Sequence, residues 1–250
     1  MAFLQMNLYS ESLGQTTAVH VLLPEKREGR TFRTLWLLHG LTDGCDAWMR
    51  HTAVERYAKR YGLAVVMPSA DRSWYTNTAY GKNYFTWIVE ELPEKIARLF
   101  CGYSAAREDN LVAGLSMGGY GALKAALTCP ERYGFCASLS GSLDVTRKNR
   151  PYNLDEWRSI FGFELRDAAD LAGSEHDLFA LASRGGDFPP LFLWCGTEDS
   201  LVEINRAFSA HLTSLGVAHT LKTSEGDHSW RWWDLHLKAA LEHFFVLKRS

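Results

Sequence analysis

The chain has 250 residues, 46% of them hydrophobic, and a formal charge of −2. That is enough apolar content for one sizeable α/β core, and too little charge of either sign to address nucleic acid or an anionic membrane surface. No segment approaches the roughly 18 apolar residues that a membrane span requires.

The opening Met1-Ala-Phe-Leu-Gln-Met-Asn lacks the basic start and long apolar run of a signal peptide. The five cysteines (Cys45, Cys101, Cys129, Cys136 and Cys195) form no Cys-x-x-Cys pair. Both features fit a cytoplasmic protein with reduced thiols, Cys45 and Cys195 being the two with a conceivable reactive role.

Phe3 to Tyr9 and Thr16 to Leu23 have strand composition with Gly14 between them, which predicts an antiparallel hairpin. Pro24 to Arg33, with Gly29, reads as a loop. Thr34 to Leu38 is a continuous apolar run, as expected of a strand buried on both faces. Trp48, Met49, Ala53, Val54, Tyr57, Ala58 and Tyr61 recur at helical spacing, and Gly62 closes that helix. Leu63 to Met67 is the next buried strand. After a polar and aromatic loop, Ser69 to Lys82, a helix carries Phe85, Ile88, Val89, Leu92, Ile96 and Leu99 on one face. Pro93 should kink it or start it anew.

Leu111 to Ala113 is a short buried strand, followed by Gly114-Leu-Ser116-Met-Gly118 and a helix rich in small residues. Phe135 to Leu139 is another strand. From Ser142 to Asp187 the strand signal stops, leaving helical pieces at Leu154 to Phe161 and Asp177 to Ser183; this stretch reads as a cap-like insertion over the strand ends. Leu191 to Trp194 resumes the sheet. A helix through Leu201 to Leu215, a strand around Thr220 to Lys222 and a final helix bearing Trp233, Leu237, Leu241 and Phe244 complete the chain. Beyond the hairpin, strands and helices alternate, so residues 1–250 are expected to form one α/β domain around a mostly parallel sheet with helices on both faces. In such sheets ligands bind beyond the carboxyl ends of the strands.

A Gly-x-Ser-x-Gly pentamer alone is weak, arising by chance in about one chain of this size in ten. Between a buried strand and a helix it becomes a nucleophile elbow: a sharp turn that lifts the Ser116 hydroxyl to the amino end of the helix. A serine hydroxyl needs a base, and the base needs an acid to fix its tautomer. In the α/β-hydrolase arrangement the acid and then the histidine follow the serine in the chain. Asp199, directly after the Leu191 to Trp194 strand, fits the acid, with Glu198 and Glu203 as rivals. His228, in the loop before the last helix, fits the base; His176 and His219 also follow the serine but lie outside the expected loop. The oxyanion donors would be the Met117 N–H and, after the Thr34 to Leu38 strand, the Leu41 N–H. His39 would shape that loop. Trp48, Trp74, Tyr75, Trp157 and Phe161 are candidate linings of the acyl and alcohol pockets, ordinary core packing being the competing explanation for each. The sequence contains no recognisable metal-ligand spacing and no phosphate loop, so no metal and no cofactor are expected.

Several segments together resemble the esterase D-like branch of the α/β-hydrolases, most of all its bacterial tributyrin esterases. They are Leu37-Leu-His-Gly-Leu41, Ala64-Val-Val-Met-Pro68, Trp74-Tyr-Thr-Asn-Thr-x-Tyr-Gly81, Glu90-Glu-Leu-Pro93, Ala113 to Gly121, Trp194-Cys-Gly196 with Asp199, and His228-x-Trp230. The poorest match is the insertion. The resemblance implies a cofactor-free serine esterase acting on small short-chain acyl esters, with Ser116, Asp199 and His228 as triad and Leu41 and Met117 as oxyanion donors. Relatives include S-formylglutathione hydrolases, feruloyl and acetylxylan esterases, and mycolyl transferases. A thioesterase, a feruloyl or acetyl esterase on plant oligosaccharides, and a non-catalytic binding protein are the competing readings. Whether the chain forms a homo-oligomer is open.

Overall fold

A computed structural model describes residues 1–25, 31–147 and 153–247. The middle of the Pro24 to Arg33 loop, with Gly29, and residues 148–152 of the 142–187 stretch lie outside the described residues.

Alternating exposure along β1 (Ala2–Ser10) marks a strand at the sheet margin. It pairs antiparallel with β2 (Gln15–Leu23) in the predicted hairpin, from Ala2 opposite Leu23 to Ser10 opposite Gln15. The strands β3 (Arg33–Leu38), β4 (Leu63–Pro68), β5 (Asn110–Leu115), β6 (Phe135–Leu139) and β7 (Leu191–Gly196) are almost entirely buried, as their unbroken apolar runs require. β8 (His219–Ser224) closes the other margin. The eight strands lie in the order β1-β2-β4-β3-β5-β6-β7-β8 and are parallel from β4 onward, with β2 antiparallel to β4. β8 is longer than its apolar centre suggests. Polar Thr223 and Ser224 still pair with Cys195 and Gly196 at the half-exposed margin.

Side chains alternate across the strands and so build two apolar layers. Leu35, Leu37, Val65, Phe135 and Phe192 pack beneath α1 (Ala47–His51), α2 (Val54–Tyr61) and, at the end of the chain, the long C-terminal helix Trp230–Leu247. Trp36, Leu38, Val66, Val112 and Leu193 face the opposite layer. That layer holds α3 (Tyr84–Thr86), a π-helical turn (Trp87–Glu91), α4 (Leu92–Leu99) and α5 (Met117–Thr128). It continues with α6 (Leu154–Phe161), α7 (Leu178–Ser183) and α8 (Val202–Ser214); the C-terminal helix is α9. Buried Trp157, Ile160, Leu171, Leu178 and Leu181 from the 142–187 stretch share this layer's apolar cluster. None of the described helices is long and apolar enough to cross a membrane.

Two local departures from the sequence expectation have clear causes. The single helix expected from Trp48 to Tyr61 is two helices. Thr52 turns extended (φ −135°, ψ 171°), its hydroxyl donates to the Trp48 carbonyl and accepts the Val54 N–H, and the Ala53 N–H is taken by Asp234 on α9 at 2.8 Å. Gly62, at φ 64°, closes α2 as expected. At Pro93 the helix restarts without a break. The Leu92 N–H reaches back five residues to the Trp87 carbonyl, and Pro93 then falls in the first turn of α4, where a missing N–H costs nothing.

Candidate active site

β5 ends at Leu115 and α5 begins at Met117, so one residue must make the whole turn. That residue is Ser116, held at φ 52°, ψ −115°. Tight spacing enforces the glycines around it. A Cβ on Gly114 would lie 2.3 Å from the Gly118 carbonyl oxygen, and one on Gly118 would lie 2.4 Å from the Leu38 carbonyl oxygen. The elbow is thus wedged against the end of β3, which brings the Gly40–Asp43 loop beside the serine. Neither the Leu41 nor the Met117 amide has an internal hydrogen-bond partner among the described residues. Both belong to residues bordering the cleft that holds Ser116, and Met117 stands at the positive end of α5.

His39 holds this loop from behind. Its buried ring sits against the Gly40 carbonyl through Nδ1 (2.7 Å) and accepts the Ala70 N–H at Nε2 (2.9 Å). Burial keeps its pKa below the ordinary value. With both nitrogens engaged, His39 shapes the loop between β3 and β4 and has no lone pair to spare as a base.

Asp199 and His228 arrive from the ends of β7 and β8. The two loops interlock: a Cβ on Gly196 would lie 2.0 Å from the Gly226 carbonyl oxygen, and Glu198 accepts the Gly226 N–H at 2.6 Å. Glu198, the rival acid, therefore clamps the backbone of the histidine loop, while Glu203 pairs with Arg206. Asp199 Oδ2 lies 2.8 Å from His228 Nδ1, and His228 Nε2 lies 3.1 Å from Ser116 Oγ. Burial raises the Asp199 pKa, but bonds from His228, the Leu201 N–H and Ser140 outweigh it and hold the carboxyl below its ordinary value. An ionised carboxylate only accepts, so Nδ1 carries the proton and Nε2 is left to accept from the serine hydroxyl. The rival histidines are engaged elsewhere, His176 with Lys124 and Thr76, and His219 with Ser209.

The cleft over Ser116 measures about 480 Å³ and is bordered by Gly40–Asp43, Trp74, Met117, His228, Ser229, Trp230 and Trp233. Of the five aromatic residues singled out from sequence, Trp74 lines it. Trp48 lies behind the wall, with its indole N–H on the Leu38 carbonyl and its ring edge-on to Trp230. Tyr75 is buried with its hydroxyl on the His39 carbonyl, and Trp157 and Phe161 pack behind Trp74. Trp230 and the cleft-facing side of Trp233 were not anticipated, although both follow His228 closely in the chain. Ser140 was also missed. It sits at φ 47° after β6, and its hydroxyl accepts the Trp233 indole N–H. Cys195 is buried and its thiol pushed up to about 12, and burial also raises Cys45, so neither offers a thiolate.

A serine, a histidine and a carboxylate joined in series, beside a cleft bordered by two amides that have no internal partner among the described residues, can carry out acyl transfer. Comparisons with known proteins place the chain among the esterases. The family model described as "Putative esterase" matches residues 10–244. The acetyl esterase of Caldicellulosiruptor saccharolyticus is 28% identical over 97% of both chains. Among solved structures, the fluorophosphonate-binding serine hydrolase F of Staphylococcus aureus superimposes with a TM-score of 0.89 at 32% identity, covering 97% of this chain and 98% of that one. The S-formylglutathione hydrolase of the same organism gives 0.87 at 32% identity, with the same coverage. The sheet order, the elbow and these matches identify the chain as a member of this esterase family, a carboxylic ester hydrolase of the α/β-hydrolase fold.

Proposed function

We propose that the chain is a serine carboxylesterase of short-chain acyl esters, with Ser116 as nucleophile, His228 as general base and acid, and Asp199 as its orienting carboxylate. The observation that carries this is the unbroken series Asp199–His228–Ser116, at 2.8 and 3.1 Å. Ser116 Oγ attacks the ester carbonyl as its proton passes to His228 Nε2. The carbonyl oxygen becomes an oxyanion, received by the Leu41 and Met117 N–H groups; one such donor is worth about 3 kcal/mol in the transition state. Collapse breaks the bond to the alcohol, which takes the proton from His228. Water then attacks the acyl-serine, giving its proton to the same nitrogen, and the acid leaves as Ser116 regains its hydrogen. No step calls for a cofactor.

A phosphonate ester probe, followed by mass spectrometry, tests the assignment. Label on Ser116, absent from Ser116→Ala, supports it; a wild-type protein that takes no label refutes it. A thioesterase reading uses the same groups and is favoured by the 32% identity to the S-formylglutathione hydrolase structure. Relative kcat/KM on S-formylglutathione and on p-nitrophenyl acetate and butyrate separates the two.

A further inference from the structure

Trp74 and Tyr75 are consecutive bulky residues at φ 52° and 49°, the left-handed region that side chains avoid. Such strain persists only where the surroundings impose it, and it gathers at functional sites. The surroundings here are explicit. The Tyr75 hydroxyl is fixed on the His39 carbonyl at 2.9 Å and its amide on Ser73 Oγ at 3.1 Å. Thr76 Oγ1 accepts from buried Lys124 of α5 at 2.6 Å. Anchored on both sides, the segment drives the Trp74 indole into the border of the cleft, and only 2% of that residue stays exposed.

The leaving alcohol must depart beside the group that protonates it. The half of the cleft next to His228, walled by Trp230 and Trp233, is therefore the alcohol side, and His228 and Trp233 have ring centres 4.9 Å apart. Trp74 belongs to the apolar layer on the other face of the sheet from Trp230 and Trp233, so the acyl group is left with the side that Trp74 borders. Behind it stand Tyr120, Trp157 and Phe161, with ring centres 5.5, 5.1 and 6.3 Å from the indole. A ring packed on its far side at interior density has no rotamer to swing into.

We infer that Trp74, braced by the aromatic residues of α5 and α6, sets the upper limit on acyl length. This rests on the esterase reading above, since it needs Ser116 and His228 to define the two halves. Truncating the indole opens the acyl side toward Trp157 and Phe161, and each methylene that gains burial there should improve kcat/KM by roughly fourfold.

The experiment is a p-nitrophenyl ester series from C2 to C10 on wild type, Trp74→Ala and Trp74→Phe, with phosphonate labelling of wild-type Ser116 alongside. The expected result is a kcat/KM ratio of octanoyl to acetyl ester at least tenfold higher in Trp74→Ala, with Trp74→Phe between it and wild type. A general loss of folding lowers both esters together and leaves the ratio where it was. Should the alanine variant fail to fold, the ratio in the phenylalanine variant decides. A ratio unchanged or lowered in the folded variants overturns the inference while the labelled serine leaves the esterase reading standing. An unlabelled wild type instead removes the reading itself.

Discussion

Lys124 is a buried amine with no carboxylate in contact among the described residues. It sits on α5 with its amine 2.6 Å from Thr76 Oγ1 and 3.0 Å from His176 Nδ1, above the rings of Phe85 and Tyr120. Burial lowers its pKa from 10.5 to about 7, against the weak pull of Glu175. His176, held at about 3 by burial and then by Lys124, stays neutral through this range. Between pH 7 and 10.5 the folded chain therefore binds fewer protons here than the unfolded chain, and stability rises with pH by about 1.4 kcal/mol per unit. At pH 7.5, three units below the unfolded value, the residue costs about 4 kcal/mol. Lys124→Met keeps an unbranched stem among the rings and removes that cost. It also removes two hydrogen bonds, at about 1 kcal/mol each. The variant should thus be more stable than wild type by about 2 kcal/mol at pH 7.5, with the advantage gone near pH 9. Urea unfolding of both proteins from pH 7 to 9.5 measures the difference, and tyrosine and cysteine titrations common to both cancel in it. A difference that does not change with pH, or a variant less stable at pH 7.5, would refute the reasoning.

Three further outcomes are expected. Asp199→Asn should lower kcat by about a thousandfold or more while leaving the circular dichroism spectrum intact, because the amide no longer selects the tautomer that His228 needs; a loss under tenfold would contradict the role given to this carboxylate. Gly196→Ala places a Cβ 2.0 Å from the Gly226 carbonyl, so it should displace the His228 loop, slow phosphonate labelling of Ser116 and cost about 2 kcal/mol or more in thermal unfolding. Labelling at the wild-type rate would show that the loops do not interlock as described. Glu91 accepts from the Ser10 hydroxyl and the Glu11 and Ser12 amides, bonds that overcome its burial and bring its pKa from 4.5 to about 2. The lowered value means its stabilisation is present above pH 4.5 and is lost as pH falls toward 2. Glu91→Gln should therefore cost about 1–3 kcal/mol at pH 7, with the gap to wild type closing in acid; a gap independent of pH would exclude the carboxylate as its source.

What could be read from the sequence was mostly steric. Gly114 and Gly118 are legible because the chain passes so close to itself at Ser116 that no other residue fits, and chain order then points to Asp199 and His228. The apolar runs of β3 to β7 are legible because both faces of those strands are covered. What stayed hidden depends on partners far along the chain. The break at Thr52 and Ala53 is fixed by Asp234, 181 residues beyond Ala53, and helical periodicity carries no trace of it. Glu91 entered the reading only as part of a family segment; its reason, a carboxylate gathering the hairpin turn onto the π-helical turn, needs residues some 80 positions apart.

The aromatic residues show the same limit most sharply. Trp48 and Trp74 are both within 2% of full burial, and hydrophobicity cannot rank them. One closes the core beneath the site and the other borders the cleft. What separates them is backbone conformation: Trp48 lies in the ordinary helix α1, whereas Trp74 is forced to φ 52°. No local sequence rule favours that value in tryptophan. It goes with bonds from residues far along the chain: Lys124 of α5 holds Thr76 and His176, and Tyr120 of α5 holds the His176 carbonyl. The chemistry of the site thus follows from the elbow and can be read locally, while the shape of the space above it is a property of the whole layer packed on α5.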